Sequence, residues 1–551
     1  MKVLLVTGRL AERVVTESAL QQSEVDFCVR VLPVSVAALL TPEFISRELK
    51  GEDLSDYDLI VVPGMVPGDT SIIERTVGVP AFKGTRYASD IPALFEALGK
   101  SELSKAKPAD SILAQDLQHR TMAALEEAEH PEESVLKRPW NLVIGRERGK
   151  RLSVGRDFPM RVVAEILDAP TLTDDEILRT AKYYVESGAG IVDVGMRAKE
   201  PRPIDVKRIV SLLKSKLEVP ISLDTLEPED IDAGMDSGVD MVLSLNSSNI
   251  EKVKNLDNAP DVAAIVIPDR SEGMDQVSTS DQIRERTHAL EKNVQNARQI
   301  GFKKIIADPI MDPLVSPGVV SSIISYNTFS QRHGDVPLMC GVGNVTELLD
   351  ADSVGVNAVM AGIAEELGAS LLLTTEGSPK TRGAVHELVL ASQMMYLGRI
   401  RRTPPKDFGI DLLILKEKRS REVPYDAATE KAEKQLKILG AEQGPEPSLD
   451  PKGFFKIAVD RADGEIVVTH FEAGSKSPDI IVRGREPLPI RDTLTKTGLI
   501  STLQHSYYLG AEIEKAYIAS QMNRSYCQDE ELFEKDPEKR RSTTIRLLRA
   551  K

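Results

Sequence analysis

The fold is decided by residues 161–196, which read RVVAEILDAPTLTDDEILRTAKYYVESGAGIVDVGM. A short apolar strand opens this stretch, a helical segment with apolar residues at three- and four-residue spacing follows, and a second apolar strand closes it. The same alternation recurs as far as about Leu397 and gives eight strand segments in all. Repeated strand–helix units of this length predict an α/β fold, a closed parallel (β/α)8 TIM barrel.

A polar residue stands at or near the carboxyl end of each predicted strand. In chain order these residues are Asp168, Asp193, Asp224, Asn246, Asp269, Asp308, Asn344 and Glu376. The carboxyl ends of parallel barrel strands meet at one mouth, and the loops at that mouth hold the chemistry in this fold. These acids and amides are therefore the candidate site.

The composition is that of a soluble chain with several domains. At 551 residues the chain is too long for one hydrophobic core, and 41% of it is hydrophobic and 28% charged. The net charge of −15 argues against nucleic-acid binding, which needs clustered Lys and Arg. No apolar run has membrane-spanning length, and Met1 leads straight into the strand KVLLV. We therefore expect a cytoplasmic protein with no membrane contact.

The cysteines and histidines lack the spacing of a metal centre or a disulfide framework. Cys28, Cys340 and Cys527 lie far apart, and none of the seven histidines forms a His-x-x-x-His pair. We therefore expect no iron–sulfur cluster, no haem and no zinc. Cys340 falls in a predicted barrel strand, where a packed core thiol is expected. Magnesium, which binds carboxylates, remains compatible with the sequence.

Four segments follow from the pattern of elements. They are an amino-terminal α/β domain with a helical extension at 1–138, the barrel at 139–415, a linker at 416–449 and a small α+β module at 450–551. Residues 1–100 alternate as βαβαβ, which predicts a doubly wound, Rossmann- or flavodoxin-like sheet. Because no Gly-x-Gly-x-x-Gly fingerprint is present, docking or assembly is favoured over a nucleotide site. The loop residues to test for ligand binding are Arg9, Asp69, Lys83 and Arg86.

Two hairpins flank the predicted barrel. Residues 141–155, NLVIGRERGKRLSVG, predict two short strands around a basic turn, of the kind that plugs the amino-terminal end of such barrels. Residues 454–471 alternate apolar and polar around Asp463-Gly464, which favours a tight turn. A helical segment follows at 498–522, and the chain ends in a basic tail for which we expect no nucleic-acid partner.

Asp224, Asn246, Asp308 and Asn344 form a set suited to a flat heterocycle with a 2-amino-4-oxo amidine edge. A carboxylate accepts two N–H bonds from such an edge, and an amide both donates and accepts beside it. Charge-assisted bonds of this type are worth about 1.5–3 kcal/mol each. The alternative is that strand-end Asp and Asn only cap the following helices. Four such residues together favour the ligand site.

The motifs around these residues resemble a known family. GAGIVDVG at 188–195, ISLDTLEPEDIDAGMDSGVDMVLSLN at 221–246 and IIADP at 305–309 are similar to the pterin-binding barrel shared by dihydropteroate synthases and methyltetrahydrofolate-type methyltransferases. The order of modules resembles archaeal dihydropteroate synthase-like proteins, whose context is tetrahydromethanopterin- or folate-type C1-carrier biosynthesis. The resemblance implies a pterin held by Asp193, Asp224, Asn246 and Asp308. It also implies a position for Mg²⁺ at Asp168.

Three loops depart from the synthase pattern. After the seventh strand the chain reads CGVGNVTEL, so the synthase lysine is missing. Asn344 stands there where the methyltransferase branch carries an Asn at the reactive edge of the pterin. The second loop reads MRAKEPRP and the eighth TTEGSPKTRG. The basic residues of these two loops are the candidates for binding pyrophosphate, namely Arg197, Lys199, Arg202, Lys380 and Arg382.

The predicted reaction is dihydropteroate synthase-like, in which an arylamine displaces pyrophosphate from a dihydropterin-methyl pyrophosphate. Its catalytic candidates are Asp168, Asn344, Lys380 and Arg382, and the helix predicted after Gly383 suits the anion. The first alternative is methyl transfer from a methyl-tetrahydropterin to a corrinoid protein, which must be a partner because no Asp-x-His-x-x-Gly motif is present. The second is a non-catalytic pterin-binding or assembly protein. We expect a homodimer.

Overall fold

A computed structural model of the chain describes residues 1–21, 25–145, 151–254, 256–269, 279–418, 450–461, 463–522 and 524–533. Contacts divide the chain into two compact units, Met1–Lys418 and Arg419–Lys551, each described by itself. The linker predicted at 416–449 lies almost entirely outside the described residues. The basic tail from residue 534 and the basic turn at 146–150 lie outside them as well.

The first unit begins with a four-stranded parallel sheet that carries helices on both faces. Its strands are β1 (Lys2–Gly8), β2 (Asp26–Leu32), β3 (Leu59–Val62) and β4 (Ala81–Lys83). Its helices are α1 (Glu12–Ala19), α2 (Pro42–Leu49), α3 (Ser71–Val77) and α4 (Ile91–Ala97). The strand order is β2-β1-β3-β4. The sequence does not predict β4, because three residues are too few to show a period.

Two helices and a hairpin follow the sheet. They are α5 (Ala114–Glu129), α6 (Glu133–Leu136), β5 (Asn141–Ile144) and β6 (Leu152–Gly155). The hairpin is antiparallel, and its Ile144 and Val154 are fully buried among apolar residues from the barrel interior. The hairpin therefore fills the amino-terminal end of the barrel, as the sequence predicts.

Eight parallel strands form the closed barrel that the sequence predicts. They are β7 (Arg161–Ile166), β8 (Ile191–Gly195), β9 (Ile221–Asp224), β10 (Met241–Leu245), β11 (Ala263–Val266), β12 (Lys304–Ala307), β13 (Leu338–Gly341) and β14 (Ala369–Thr375). Neighbours in the ring follow chain order, and β14 pairs with β7 to close it. The predicted (β/α)8 fold is confirmed.

Helices surround the barrel strands. They are α7 (Asp174–Glu186), α8 (Pro203–Lys216), α9 (Pro228–Asp236), α10 (Thr279–Gln299), α11 (Val319–Arg332), α12 (Gly343–Thr346), α13 (Ser353–Leu367) and α14 (Ala384–Arg401). Local sequence sets where they start: Thr173 caps α7 in a capping box with Glu176, and proline opens α8 and α9. Within the described ranges, no helix is both long and apolar enough to cross a bilayer.

Alternate residues of the barrel strands point inwards and form layers. The layer next to the hairpin is apolar and includes Val163, Ile191, Met241, Ile306 and Leu371. Two residues further along a strand, the side chain again points inwards. At that level, near the carboxyl ends, several strands carry acids instead of aliphatic residues. The change from aliphatic to acidic side chains marks the floor of the candidate site.

The second unit folds around a three-stranded antiparallel sheet. Its elements are β15 (Phe454–Asp460), β16 (Glu465–Phe471), β17 (Ile480–Gly484), α15 (Pro487–Thr497) and α16 (Leu503–Gln521). β15 and β16 form the predicted hairpin, and β17 extends the sheet. Its core joins Phe455 and Val468 of the sheet to Ile513 of α16. Gly464 turns the hairpin with a φ of +66°, a conformation that favours glycine.

Candidate functional site

Four carboxylates occupy inward positions at the carboxyl end of the barrel. Glu165, Asp193 and Asp224 stand on the neighbouring strands β7, β8 and β9, and Asp308 directly follows β12. Glu165 lies opposite Asp193 in the strand register. Single oxygens of Glu165, Asp193 and Asp224 all lie within 4.8 Å of one another. These three acids therefore share one site.

Asp193 is fully buried, and only one of its oxygens is hydrogen-bonded. Its Oδ1 accepts a 2.5 Å bond from the Ser222 hydroxyl, whereas Oδ2 has no partner in the described structure. Burial raises the pKa of Asp193 well above its usual range, and Asp224 and Glu165 raise it further. A buried oxygen without a partner points to a proton, a cation or a donor group that a ligand supplies.

Glu165 and Asp224 are shifted in the same direction. Burial raises the pKa of Glu165 to about 8, and the charges of Asp224 and Asp168 add to the rise. Burial and then Asp308 raise the pKa of Asp224 to about 6. The coupled acids therefore hold a proton more tightly than isolated carboxyl groups do, and the shift is larger for Glu165 than for Asp224. Gly195 makes room for Glu165, since a Cβ at Gly195 would lie 2.4 Å from Glu165 Oε1.

The described side-chain hydrogen bonds of Asp308 all involve one of its two carboxylate oxygens. Its Oδ1 lies 2.5 Å from the Tyr326 hydroxyl and accepts the backbone N–H of Ile310 at 2.7 Å. In the described part of the chain no hydrogen bond reaches Oδ2. Burial raises the pKa of Asp308 to about 6, although the bonds from Tyr326 and Ile310 stabilise its charge. Oδ2 is thus available to a ligand.

Asn344 lines the same cavity as Glu165. This cavity measures about 290 Å³, and Leu167 and Leu348 also line it. Asn344 stands in the short helix α12, and its Nδ2 donates a 2.9 Å bond to the carbonyl of Met311. The side chain is exposed at the mouth. The amide oxygen is therefore left for a ligand in the cavity that Glu165 also lines.

Asn246 is placed differently from the other predicted pterin residues. Its Oδ1 accepts the backbone N–H and the hydroxyl of Ser248 at 2.9 and 2.6 Å, so this oxygen organises its own loop. Asn246 does not cap the helical turn that follows, whose first flanking residue is Asn249. The amide N–H groups of Asn246 have no hydrogen bond to any described residue and remain available.

Most of the basic candidates at the mouth are paired with acids. The closest pairs are Arg197–Asp168 at 3.3 Å, Arg202–Glu200 at 3.2 Å and Lys380–Asp350 at 3.0 Å. Lys199 and Arg382 form no ion pair with any described residue. Exposed pairs of this kind are weak, typically ~0–1 kcal/mol, so a ligand can exchange for the acid.

The amino terminus of α14, where the sequence suggests an anion, holds a carboxylate of the protein itself. Glu376 Oε1 accepts the backbone N–H of Val385 at 3.1 Å, and Oε2 accepts the Tyr183 hydroxyl at 3.0 Å. A negative charge is favourable at this helix end. A pyrophosphate bound here would have to displace Glu376.

Two positions offer oxygen ligands that suit Mg²⁺. The cluster of Glu165, Asp193 and Asp224 fits by donor type, and Asp193 Oδ2 has no protein partner. Asp168, the position that the sequence suggests, is engaged by Arg197 instead. A cation in the acid cluster would lower the pKa values that the neighbouring charges raise.

Of the four loop residues to test in the amino-terminal domain, Asp69 and Lys83 lie near enough to interact. Asp69 accepts the backbone N–H of Ser71 at 2.7 Å, and Arg86 lies 3.9 Å from Asp407. Lys83 is buried, and this burial lowers its pKa. Arg9 is exposed. The described contacts thus relate Lys83 to Asp69, whose charge opposes the effect of burial on its pKa, but do not link Arg9 or Arg86 to this pair.

Glu165 and Tyr326 are site residues that the strand-end pattern does not single out. Glu165 lies inside strand β7 and not at its end. Its signal is a charged residue at an inward position of an otherwise apolar barrel strand, which is costly to bury and often functional. Tyr326 reaches Asp308 from helix α11, and no spacing in the sequence marks that contact.

Three family models match the chain. Residues 168–372 match the family described as pterin binding enzyme, which corresponds to the barrel. Residues 1–86 match a family of unknown function, DUF6513, and residues 449–529 match the family PterinBD-DUF4346. An uncharacterized protein of Methanocaldococcus jannaschii is 36% identical over 543 residues, which is 97% of this chain and 99% of that protein.

Solved structures similar to this chain include dihydropteroate synthases. The enzyme of Stenotrophomonas maltophilia with active site-bound imidazole is 20% identical, with a TM-score of 0.33, and covers 44% of this chain and 93% of its own. The enzyme of Coxiella burnetii in complex with pteroic acid is 19% identical, with a TM-score of 0.36, over 46% of this chain and 96% of its own. The Vibrio fischeri enzyme is 17% identical, with a TM-score of 0.37, over 48% and 99%.

Proposed function

This chain belongs to the dihydropteroate synthase-like family of pterin binding enzymes, and we propose that it is a pterin-dependent transferase. In this proposal the barrel mouth binds a reduced pterin of folate or tetrahydromethanopterin type and transfers its methyl group to a corrinoid on a partner protein. The observation that carries the proposal is the cavity that Glu165 and Asn344 share at the acidic end of the barrel.

The acids support binding of the amino-pyrimidine ring of a pterin. Asp308 Oδ2, which has no described hydrogen bond, and the carboxylate of Asp224 would accept N–H groups of the amidine edge. The amide N–H groups of Asn246 face no protein acceptor in the described structure and can donate to the ring. Hydrogen bonds to charged groups contribute about 1.5–3 kcal/mol each. Two such bonds, added to the burial of the ring, account for a dissociation constant in the micromolar range.

Methyl transfer needs a proton at the ring nitrogen that carries the methyl group. The carbon–nitrogen bond breaks and leaves its electron pair on this nitrogen, while the nucleophilic Co(I) of the acceptor takes the methyl group. Glu165 supplies the proton, and the amide oxygen of Asn344 accepts the N–H of the protonated nitrogen. A pKa of about 8 keeps Glu165 protonated at neutral pH, which suits a general acid.

A dihydropteroate synthase-like reaction, the first prediction from the sequence, is the second candidate. Lys199 and Arg382 favour it, because release of pyrophosphate needs cations and these two have no acidic partner among the described residues. Glu376 at the end of α14 weighs against it, because a pyrophosphate bound there would have to displace this carboxylate. The geometry therefore supports methyl transfer better.

Two assays separate these reactions. In the first, the protein is incubated with 5-methyltetrahydrofolate or methyl-tetrahydromethanopterin and cob(I)alamin, and absorbance follows the methylated corrinoid. We expect transfer that Glu165→Gln lowers. In the second, pyrophosphate release is measured with a dihydropterin-methyl pyrophosphate and p-aminobenzoate, and we expect little. Efficient release without methyl transfer would establish the synthase reaction instead. No calorimetric binding of any of these pterins would refute the proposal as a whole.

A further inference from the structure

The segment that follows strand β12, residues 308–312, contacts both sides of the proposed pterin site. The backbone N–H of Ile310 donates to Asp308 Oδ1 at 2.7 Å. The carbonyl of the next residue, Met311, accepts the amide of Asn344 at 2.9 Å. A shift of this short segment would therefore move an acid at one side of the site and an amide at the other.

Ile310 adopts a backbone conformation that its side chain disfavours. Its φ is +69°, in the left-handed region, which is rare for a β-branched residue. Such a conformation persists only where the surrounding contacts hold it. The Asp308 carboxylate provides one such contact by accepting the Ile310 N–H. Another group must hold the carbonyl side.

Arg286 of helix α10 contacts the Ile310 carbonyl and holds it in place. Its Nη1 lies 3.3 Å from the Ile310 carbonyl and 3.1 Å from the Ser322 hydroxyl, and its Nη2 lies 2.6 Å from Asp312 Oδ2. Asp312 is 1% exposed, and the Arg286 side chain only 15%. The Ser322 hydroxyl also donates to Asp312 at 3.0 Å. The guanidinium thus contacts a carbonyl, a hydroxyl and a carboxylate at once through two of its nitrogens, which the single ammonium group of lysine cannot reproduce.

We propose that Arg286 is a positioning residue for the pterin-binding acid Asp308. It holds Ile310 in the left-handed conformation, which directs the Ile310 N–H to Asp308 Oδ1 and leaves Oδ2 for the ligand. Through Met311 the same segment sets the position of Asn344. Arg286 itself does not contact the ligand. This inference rests on the proposed function, because it assumes that Asp308 binds a pterin.

A double-mutant cycle tests the proposal on the full-length protein. Affinity for 6-hydroxymethylpterin is measured by calorimetry at pH 7.5 for wild type, Arg286→Lys, Asp308→Asn and the double variant. Arg286→Lys keeps the charge beside Asp312 but loses the contact with the Ile310 carbonyl, and we expect about tenfold weaker binding. In the Asp308→Asn background the same change is expected to cost less than about twofold. Arg284→Lys, an exposed substitution on the same helix, is the control and is expected to bind as wild type does.

The outcomes distinguish this inference from the function on which it rests. If wild type binds the pterin and Arg286→Lys binds equally well, only the positioning role fails. Losses that add in the double variant would also overturn it, because a purely structural effect does not depend on Asp308. If Arg286→Lys does not fold, Ser322→Ala takes its place in the cycle, with the same criteria. If wild type binds no pterin, the proposed function fails and this inference fails with it.

Discussion

Replacing Asp308 by asparagine separates ligand binding from the cost of burying a charge. The amide keeps an oxygen that accepts the bonds from Tyr326 and Ile310, so the local geometry is expected to survive. The negative charge that faces the ligand is lost. A hydrogen bond to a charged group contributes about 1.5–3 kcal/mol, so Asp308→Asn is expected to weaken pterin binding about 10- to 100-fold.

The same substitution is expected to stabilise the protein without ligand. The pKa of Asp308 rises from 3.8 to about 6 in the folded state, because the carboxyl is buried. The folded state then holds its proton more tightly than the unfolded state, so stability falls as the pH rises from about 4 to 6. Above that range, burial of the charged Asp308 carboxylate lowers the free energy of unfolding by its full amount, about 3 kcal/mol. The uncharged amide removes most of it, and we expect a gain of about 1–3 kcal/mol at pH 7.5 and none at pH 4.

Two measurements decide this prediction. Urea unfolding followed by Trp140, the one tryptophan of the chain, reports stability of the first unit, and calorimetry with 6-hydroxymethylpterin reports affinity. The control is Asp335→Asn, which removes an exposed acid that pairs with Arg298 at 3.2 Å and is expected to change neither quantity. Equal affinity of Asp308→Asn and wild type would refute the assignment of Asp308 to the ligand. A loss of stability at pH 7.5 would refute the burial argument.

Further changes test the rest of the site. The methyl-transfer rate of wild type should fall as the pH rises through about 8, where Glu165 loses its proton. The rate of Glu165→Gln should be low and should not depend on pH in this range. A wild-type rate that does not fall above about pH 8 would contradict the role of Glu165 as the acid. Asn344→Ala should lower kcat at least about tenfold and change pterin affinity little, which stopped-flow rates and calorimetry measure; an equal loss in both would make Asn344 a simple binding residue. Gly195→Ala should displace Glu165 and abolish methyl transfer, because the new Cβ would lie 2.4 Å from Glu165 Oε1. The control Gly355→Ala, which adds a Cβ in open space, should be active. An active Gly195→Ala would show that the position of Glu165 is not essential.

The sequence predicts the barrel because its signal is periodic and repeated. Each strand is a short apolar run with a polar end, and the helices between them follow a three- and four-residue spacing, so an error in one element does not change the fold. The same logic places Asp224 and Asp308 at one mouth, since strand direction alone fixes which ends meet. Periodicity does not predict strand β4, because its three residues are too few to show an alternation.

The finer arrangement of the site depends on contacts that no spacing encodes. Tyr326 and Arg286 reach the segment after β12 from two different helices, and only packing decides that they meet there. The ion pair of Arg197 with Asp168 is a choice among several acids of comparable distance along the chain. The side-chain oxygen of Asn246 turns to Ser248, a local bond that competes with the ligand role expected from its position.

The hairpin of β5 and β6 leaves the barrel interior open to reactants at one end only. Since Ile144 and Val154 fill one end of the barrel, a pterin reaches the acids through the opposite end and leaves by the same route. In the proposed reaction the corrinoid partner would approach through that opening too, over the bound pterin. For the proposed methyl transfer we therefore expect ordered kinetics, in which the pterin enters first and its demethylated form departs last.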